Sequence, residues 1–113
     1  MNHRTVYAAT KSAAEALCRC WADAFGGKDP DYEFMVGTTA NAVMVGFTET
    51  EVLAACPPEL VEEAAGEFTP WQAIPRRGDP EDIANVIGLL VRPEARWMTG
   101  SVVAANGGGI YVV

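Results

Sequence analysis

Apolar residues recur every four positions in the first quarter of the chain, at Leu17, Trp21 and Phe25. Alanines and a cysteine fill the same side of this pattern, which is typical of an amphipathic helix that buries one face. A Gly-Gly pair follows Phe25, and glycine commonly ends a helix. The pattern predicts one long helix over residues 6–25, with its aromatic side chains packed against the rest of the domain.

Two short apolar runs predict buried strands. Residues 39–45 form the first run, which ends at Gly46. Residues 101–105 form the second, an uninterrupted apolar segment of the kind that a parallel sheet covers on both faces. Residues 34–36 either extend the first strand or belong to an irregular insertion, and residues 110–113 predict a short final strand.

The clearest helix start in the chain is the Asp-Pro-Glu-Asp run at residues 79–82. Aspartate is a preferred N-cap, proline suits the first helical position, and acidic side chains in the first turn complement the helix dipole. Weaker helical segments precede it, one beginning near residues 48–51 and one over residues 58–65 that stops at Gly66. The last helix is predicted to bury the stripe Ile83, Val86, Ile87 and Leu90.

The predicted order of elements is helix, strand, helices, strand, which indicates an α/β fold. Two strands joined by a helical crossover form a parallel, right-handed βαβ unit. Trp71 and Trp97 lie in connecting segments, and we expect both to pack against this layer. A sheet of two parallel strands is too small to be stable by itself, so we expect this α/β layer to be incomplete.

The net charge of the chain limits the kinds of partner that it is expected to bind. The 113 residues include 15 acidic and 8 basic side chains, which gives a formal charge of −7, while half of the chain is hydrophobic. Nucleic acids and anionic membranes attract positive patches, so this balance argues against both as partners. No apolar run approaches the roughly 20 residues of a membrane span, and the first residues contain no signal-peptide core.

The metal-binding residue types are few. The chain has three cysteines, Cys18, Cys20 and Cys56, and a single histidine, His3, which do not make a zinc-like set. Cys18 and Cys20 are two positions apart on a predicted helix and therefore point in different directions. We predict no metal site, and we predict buried thiols in a reducing, cytoplasmic environment.

The first helix carries a candidate chemical pair, Tyr7 and Lys11. A spacing of four places both side chains on one helical face, with Cβ atoms about 5–6 Å apart. A neighbouring positive charge favours the phenolate and lowers a tyrosine pKa from its ordinary value near ~10 towards neutrality. A group with a pKa near the working pH suits general acid catalysis, so the pair is typical of a proton donor.

Four segments, in order, resemble the short-chain dehydrogenase/reductase family of NAD(P)-dependent oxidoreductases. The Tyr-x-x-x-Lys run at residues 7–11 is similar to the catalytic helix, and residues 41–50 are similar to the Asn-Ala-Val-x-Pro-Gly-x-x-x-Thr segment. Residues 77–84 resemble the start of the penultimate helix, and residues 97–108 resemble the closing strand and loop, most of all in fungal members.

This resemblance covers essentially residues 1–113 but only the C-terminal half of the family domain. It implies a partial Rossmann-like parallel sheet with flanking helices, the second half of a doubly wound domain. We therefore expect a single truncated domain that lacks the N-terminal dinucleotide-binding half.

The resemblance also implies a role for each matched residue. Tyr7 corresponds to the catalytic proton donor, and Lys11 to the residue that assists it and hydrogen-bonds the nicotinamide ribose. Thr50 and the backbone near Gly46 correspond to contacts with the nicotinamide end of the cofactor. Residues 51–71, called the lid below, correspond to the mobile segment that closes over substrate.

The implied activity is oxidation or reduction of a carbonyl or alcohol on a small metabolite, with NAD(P) as cofactor and NADP favoured. The apolar side chains of the lid suggest an apolar or aromatic substrate, in keeping with a role in secondary metabolism. The implied assembly is a homo-oligomer, or a complex with a partner chain that covers the missing half.

The chain also departs from the family pattern. Val45 stands where the family has the proline of its Pro-Gly motif, and Asn106 stands where it has an aspartate. Residues 34–38 are an insertion. The glycine-rich phosphate turn and the catalytic serine have no counterpart, since residues 107–109 read as a turn and no serine precedes Tyr7.

These departures leave alternatives open. Tyr7 and Lys11 could form a solvated helix face retained by descent, Thr50 could serve as a helix N-cap, and the Arg76-Arg77 pair could be a solvated loop rather than a phosphate grip. The whole chain could then be a catalytically inactive, truncated remnant or an interaction module. In either case an unpaired edge of the first strand predicts that the isolated chain self-associates.

Overall fold

The computed structural model describes residues 3–109. The helices are α1 His3–Asp23, α2 Glu51–Ala54, α3 Pro58–Phe68 and α4 Pro80–Leu90, and the strands are β1 Ala42–Val45 and β2 Val102–Ala105. Short helical turns connect them: a π-helical turn at Ala24–Lys28 and 3-10 turns at Pro30–Met35, Thr69–Trp71 and Pro93–Ala95. The strand predicted at residues 110–113 lies outside the described residues.

The two strands are hydrogen-bonded neighbours in one sheet. The N–H of Ala42 donates to the carbonyl of Ser101 at 2.9 Å, and the N–H of Gly46 donates to the carbonyl of Ala105 at 3.1 Å. The pairing advances equally and in the same direction along both strands, which is the pattern of a parallel pair. The predicted α/β fold with a parallel sheet is confirmed.

The chain divides into two compact units. Within the described part, residues 3–42 and 92–102 make the first unit, and residues 43–91 and 103–109 make the second. The buried apolar side chains are Cys18 and Ala22 in the first unit and Val61 and Ala65 in the second.

In the first unit, the amide of Asn41 fixes the segment that leads into β1. Its Nδ2 donates to the carbonyl of Met98 at 2.8 Å, and its Oδ1 accepts from the N–H of Ser101 at 3.2 Å. Gly100 completes this turn with a φ of +70° and lies against Ala22 of α1, whose Cβ is 3.4 Å from the position of an added Cβ. The turn before β2 is therefore held against both β1 and α1.

In the second unit, α4 begins where the sequence predicts. Asp79 is the N-cap and Pro80 the first helical residue, and the N–H of Asp79 donates to the carboxylate of Asp82 at 2.7 Å, as in a capping box. The predicted buried stripe is only partly right, because Ile83, Val86 and Leu90 are half-buried and Ile87 is exposed.

Several helix boundaries differ from the prediction. Gly66 does not stop α3, which continues to Phe68, where Pro70 of the next turn follows. An isolated glycine in a helix costs only about 1 kcal/mol relative to alanine, which the neighbouring turns can offset. Residues 34–36 do not extend β1: Phe34 and Met35 belong to the 3-10 turn at Pro30–Met35, and Val36 is its C-cap. The rings of Phe25 and Tyr32 meet edge to face at 5.6 Å beside this turn.

The predicted packing of the tryptophans is wrong for this chain. Trp97 is 96% exposed and Trp71 is 79% exposed, and Trp21 is also exposed. Two of the three cysteines, Cys20 and Cys56, are exposed rather than buried. The described residues bury few large side chains because four-residue strands and short helices offer little surface to cover them.

Candidate functional site

The predicted proton-donor pair lies on one face of α1. The Lys11 Nζ is 5.4 Å from the centre of the Tyr7 ring, as expected for residues one helical turn apart. Tyr7 is 66% exposed, so its hydroxyl is open to a ligand or to solvent. The arrangement places the positive charge of Lys11 over the ring of an accessible phenol.

Gly46 occupies the carboxyl end of β1, where a side chain has no room. A Cβ added at Gly46 would lie 2.6 Å from the Asn106 Cα, a backbone atom that follows β2. The two strands therefore approach each other closely at this point, and glycine is the residue that permits the approach. The family proline that Val45 replaces directly precedes this contact, and the backbone after Val45 still pairs with Ala105.

The residues after Gly46 are held by a short parallel pairing with the segment that leads into α4. The N–H of Gly78 donates to the Phe47 carbonyl at 2.9 Å, and the N–H of Glu49 donates to the Gly78 carbonyl at 2.8 Å. Thr48 lies between Phe47 and Glu49 and is buried, and its hydroxyl Oγ1 donates a hydrogen bond to the Gly46 carbonyl at 2.9 Å. The backbone at residues 46–49 is thus fixed by contacts distant in sequence.

Thr50 is the N-cap of α2. Its hydroxyl oxygen accepts from the N–H of Leu53 at 3.4 Å, and its backbone is extended. The alternative that Thr50 serves as a helix N-cap is therefore observed in the structure. A hydroxyl that accepts one bond can still donate another, so capping is compatible with contact to a ligand.

A cavity of about 430 Å³ opens at the carboxyl ends of β1 and β2 within the second unit. Its lining includes Gly46 and Phe47 after β1, Asn106 and Gly108 after β2, and Ile74 and Val86. Pockets of ~300–1,000 Å³ are typical of small-molecule sites, and ligands of parallel α/β sheets bind outside the carboxyl ends of the strands. This cavity extends the candidate site around Gly46.

The turn after β2 lines this cavity. Its place in the candidate site was not predicted from the sequence. Asn106 is buried, and its Oδ1 accepts from the N–H of Gly108 at 3.0 Å. Gly107 and Gly108 both have positive φ, and an added Cβ on Gly108 would lie 2.9 Å from the Ala73 Cβ. The glycines admit another chain segment, and residues 107–109 form the predicted turn. The available signal was two glycines directly after an apolar strand.

Both arginines of the Arg76-Arg77 pair lie in a loop, Arg76 at an exposed and Arg77 at a half-buried position, and both form ion pairs with carboxylates. Arg76 donates to both carboxylate oxygens of Asp82, at 2.7 and 3.1 Å. Arg77 donates to Glu49 at 2.9 Å and also to Glu62. The hydrogen bond from Arg76, aided by the N–H of Asp79, lowers the pKa of Asp82 to about 2.

The predicted site residues fall in both units. Tyr7 and Lys11 belong to the first unit, and Gly46 and Thr50 belong to the second. Tyr7 and Lys11 are one helical turn apart in the first unit, and Gly46 and Thr50 are four positions apart along the segment after β1 in the second. Among residues 3–109 no group of histidine, cysteine, aspartate or glutamate is arranged to hold a metal ion. The helices in that range include none that is long and apolar enough to cross a membrane.

Comparison with known proteins identifies the family. Residues 1–109 match the family described as Enoyl-(Acyl carrier protein) reductase. The chain belongs to the short-chain dehydrogenase/reductase family. Dehydrogenase OXI1 of Cochliobolus heterostrophus is 36% identical over 111 residues, which cover 95% of this chain and 44% of that protein. Short-chain dehydrogenase/reductase FrzI of Cladobotryum sp is 36% identical over 114 residues, which cover 98% of this chain and 42% of that protein.

Solved structures agree with this assignment. A blue fluorescent protein from a metagenomic library, in complex with NADPH, superposes with a TM-score of 0.71 at 30% identity, covering 95% of this chain and 38% of that one. The predicted resemblance to the family, including its fungal members, is confirmed. The chain spans less than half the length of these relatives.

Proposed function

We propose that this chain serves an NAD(P)-dependent oxidoreductase reaction that interconverts a carbonyl and an alcohol on a small, apolar or aromatic metabolite of secondary metabolism. The observation that carries the proposal is the Tyr7–Lys11 pair, with the ammonium 5.4 Å from the ring of an exposed phenol. Membership of the family supports it, as do relatives named dehydrogenases.

In the reductive direction, Tyr7 holds the proton that reaches the carbonyl oxygen. The O–H bond of the phenol breaks as the O–H bond of the alcohol forms, and the negative charge stays on the phenolate beside Lys11. A reduced nicotinamide, when bound, would supply the hydride for the carbonyl carbon. The positive charge of Lys11 would balance the negative charge left on Tyr7. In the oxidative direction Tyr7 accepts the proton.

The residues of the second unit fit the nicotinamide end of the cofactor. Gly46 lines the cavity of about 430 Å³ at the carboxyl ends of the strands, so a flat ring held in that cavity would lie beside its backbone. The Thr50 hydroxyl caps α2 through its oxygen and keeps a proton to donate to a carboxamide. We assign the preferred cofactor as NADP, supported by the structural relative that is complexed with NADPH.

The substrate class is proposed from the lid, residues 51–71. Its large apolar side chains Val52, Leu60, Phe68 and Trp71 are exposed. Exposed apolar groups on one segment are suited to close over an apolar or aromatic molecule and to exclude water from it.

The test is a fluorescence titration of the purified chain with NADPH and with NADH. We expect saturable binding with a Kd on the order of micromolar for NADPH and weaker binding for NADH. Lys11→Ala removes a charged hydrogen bond to the ribose and is expected to raise the Kd roughly 10-fold or more.

The matched control is Arg19→Ala, which removes one positive charge from the same helix two turns further on. We expect it to leave the Kd unchanged within about twofold, as for a surface charge outside the site. Absence of saturation with either cofactor would favour the inactive or interaction-module alternative instead.

We also propose that the chain self-associates or pairs with a partner chain. In the described residues β1 pairs with β2 along one edge, and Leu17 and Trp21 are exposed on α1. Unpaired strand edges and exposed apolar faces promote association. Size-exclusion chromatography with light scattering should show a species larger than 12.0 kDa, and a monodisperse monomer of that mass would contradict the proposal.

A further inference from the structure

Arg77 lies where three segments of the second unit meet. Its Nη1 donates to Glu49 at 2.9 Å, and its Nη2 donates to Glu62. Glu49 directly precedes the N-cap of α2, and Glu62 lies on α3. The Arg77 side chain is only 26% exposed, so it is more enclosed than a typical surface arginine.

The lid helix that Arg77 contacts, α3, and the short helix α2 before it are weakly held by apolar packing. α2 has no buried residue, and α3 buries Val61 and Ala65. One aromatic contact, between the rings of Phe47 and Phe68 at 6.0 Å, joins the end of α3 to the segment after β1. With so little buried surface, polar contacts carry a large share of what positions these helices.

The backbone beside Arg77 is fixed, unlike the lid helix that it contacts. Gly78, the next residue, exchanges backbone hydrogen bonds with Phe47 and Glu49. A Cβ added at Gly78 would lie 3.2 Å from the Thr48 hydroxyl, so the two segments are in close contact. The guanidinium therefore extends from a rigid base to Glu49 of the same fixed region and to Glu62 on the lid helix α3.

We propose that Arg77 is a positioning residue that holds the lid helix α3, through Glu62, against the fixed segment at residues 47–49, which it contacts through Glu49. The planar guanidinium has separate N–H groups that can bond two carboxylates at once, which a lysine ammonium does less well. This inference rests on the proposed function for the role of residues 51–71 as a lid, but the contact itself does not depend on catalysis.

The experiment is hydrogen–deuterium exchange of the 113-residue chain, followed by mass spectrometry, for wild type, Arg77→Gln and Glu62→Gln. We expect amides of α3 to exchange roughly 2- to 5-fold faster in Arg77→Gln, the size of one or two exposed ion pairs. Glu62→Gln should produce part of this effect, and the double variant should match Arg77→Gln alone. Arg77→Lys should restore part of the protection.

Arg92→Gln is the matched control, because it removes an exposed arginine that belongs to the first unit and not to the lid. It should leave exchange of α3 unchanged. Salt of ~1 M screens charges beyond about 3 Å, so it should speed exchange of α3 in wild type and not in Arg77→Gln. Equal exchange in wild type and Arg77→Gln would overturn the proposal, and so would faster exchange spread evenly over α3 and α4.

A second readout separates positioning from simple structural support. In a carbonyl-reduction assay, Arg77→Gln should raise KM for the carbonyl substrate several-fold and change kcat by less than twofold, because a displaced lid weakens substrate binding. An unchanged KM in an active enzyme would overturn the proposal. Exchange requires neither cofactor nor substrate, so failure of the proposed oxidoreductase activity leaves the exchange test of Arg77 intact.

Discussion

The two parts of the candidate site are built in different ways. Tyr7 and Lys11 meet because one helical turn separates them, and no distant segment is needed to align them. Gly46 is positioned by a close approach to Asn106, 60 residues further along the chain, and by the pairing of its neighbours with Gly78. One part depends on local helix geometry, and the other depends on the tertiary fold.

This difference predicts that activity and folding stability can be changed by different substitutions. Side chains on the exposed face of α1 can change without disturbing packing, so substitutions there should affect activity and leave folding intact. Gly46, directly after β1, is enclosed by the backbone of Asn106, so a substitution there should affect folding first. The predictions below test this separation, from the largest expected effect to the smallest.

Tyr7→Phe should abolish most of the activity. Removing the proton donor is expected to lower kcat for carbonyl reduction about 10²–10⁴-fold, the usual contribution of general acid catalysis. The free energy of unfolding should change by less than about 0.5 kcal/mol, because Tyr7 is exposed. Ketone-dependent oxidation of NADPH and urea unfolding measure the two quantities.

Tyr32→Phe is the control for this experiment. It removes the same hydroxyl from a tyrosine whose ring contacts Phe25 at 5.6 Å, away from Lys11. We expect it to retain full activity. If Tyr7→Phe kept a similar activity to Tyr32→Phe, the proton donor would have to be another group.

Gly46→Ala should destabilise the fold. The added methyl group would lie 2.6 Å from the Asn106 Cα, so the ends of β1 and β2 must separate. Overpacking of this kind costs about 1–3 kcal/mol and sometimes more. Urea unfolding followed by circular dichroism measures the change.

Gly66→Ala is the matched control, and we expect it to change stability in the opposite direction. Gly66 lies within α3, and an added Cβ meets nothing within 4 Å. Alanine is favoured over glycine there by roughly 0.5–1 kcal/mol, so the variant should be more stable than wild type. Changes of the same sign in both variants would mean that the close approach at Gly46 does not limit stability.

Thr50→Ala should have a smaller effect on stability and a distinct effect on binding. Loss of an N-cap costs about 0.5–2 kcal/mol, and the 3.4 Å bond to Leu53 places this case at the lower end. If the hydroxyl also donates to the cofactor, Thr50→Ala should raise the Kd for NADPH, and Thr50→Ser should restore both properties. A loss of stability with an unchanged Kd would leave Thr50 as a cap only.

Asp82→Asn tests the smallest effect, the ion pair with Arg76. The folded-state pKa of Asp82, lowered to about 2 by the hydrogen bond from Arg76, is below its ordinary value of 3.8. A lowered carboxylate pKa contributes stability that is present above pH 3.8 and is lost as pH falls towards 2. Wild type should lose stability over this range, and Asp82→Asn should lose less. Glu63→Gln, at an exposed position of α3, should behave as wild type.

The features that were predicted correctly from the sequence are local. The start of α4 at Asp79, the Tyr7–Lys11 face and the capping role of Thr50 each follow from residues within one or two helical turns. The parallel sheet followed from two apolar runs and the helical crossover between them. Such features can be predicted from sequence because the interactions that produce them involve residues only a few positions apart.

The features that the sequence did not reveal are those that depend on distant contacts. Arg77 bonds Glu49, 28 positions away, and this pairing leaves no local pattern. The exposure of Trp97 depends on which surfaces are available to cover it, which periodicity does not encode. The extent of α3 beyond Gly66 depended on whether later residues could continue the helix, and the glycine alone did not decide it.

The most direct measurement is ketone-dependent oxidation of NADPH by the purified 113-residue chain, followed by absorbance with a small aromatic ketone. If Tyr7 and Lys11 form a working proton donor, oxidation requires both ketone and protein, is lost in Tyr7→Phe and is retained in Tyr32→Phe. Oxidation that is absent, or that is equal in wild type and Tyr7→Phe, would contradict the proposed reaction.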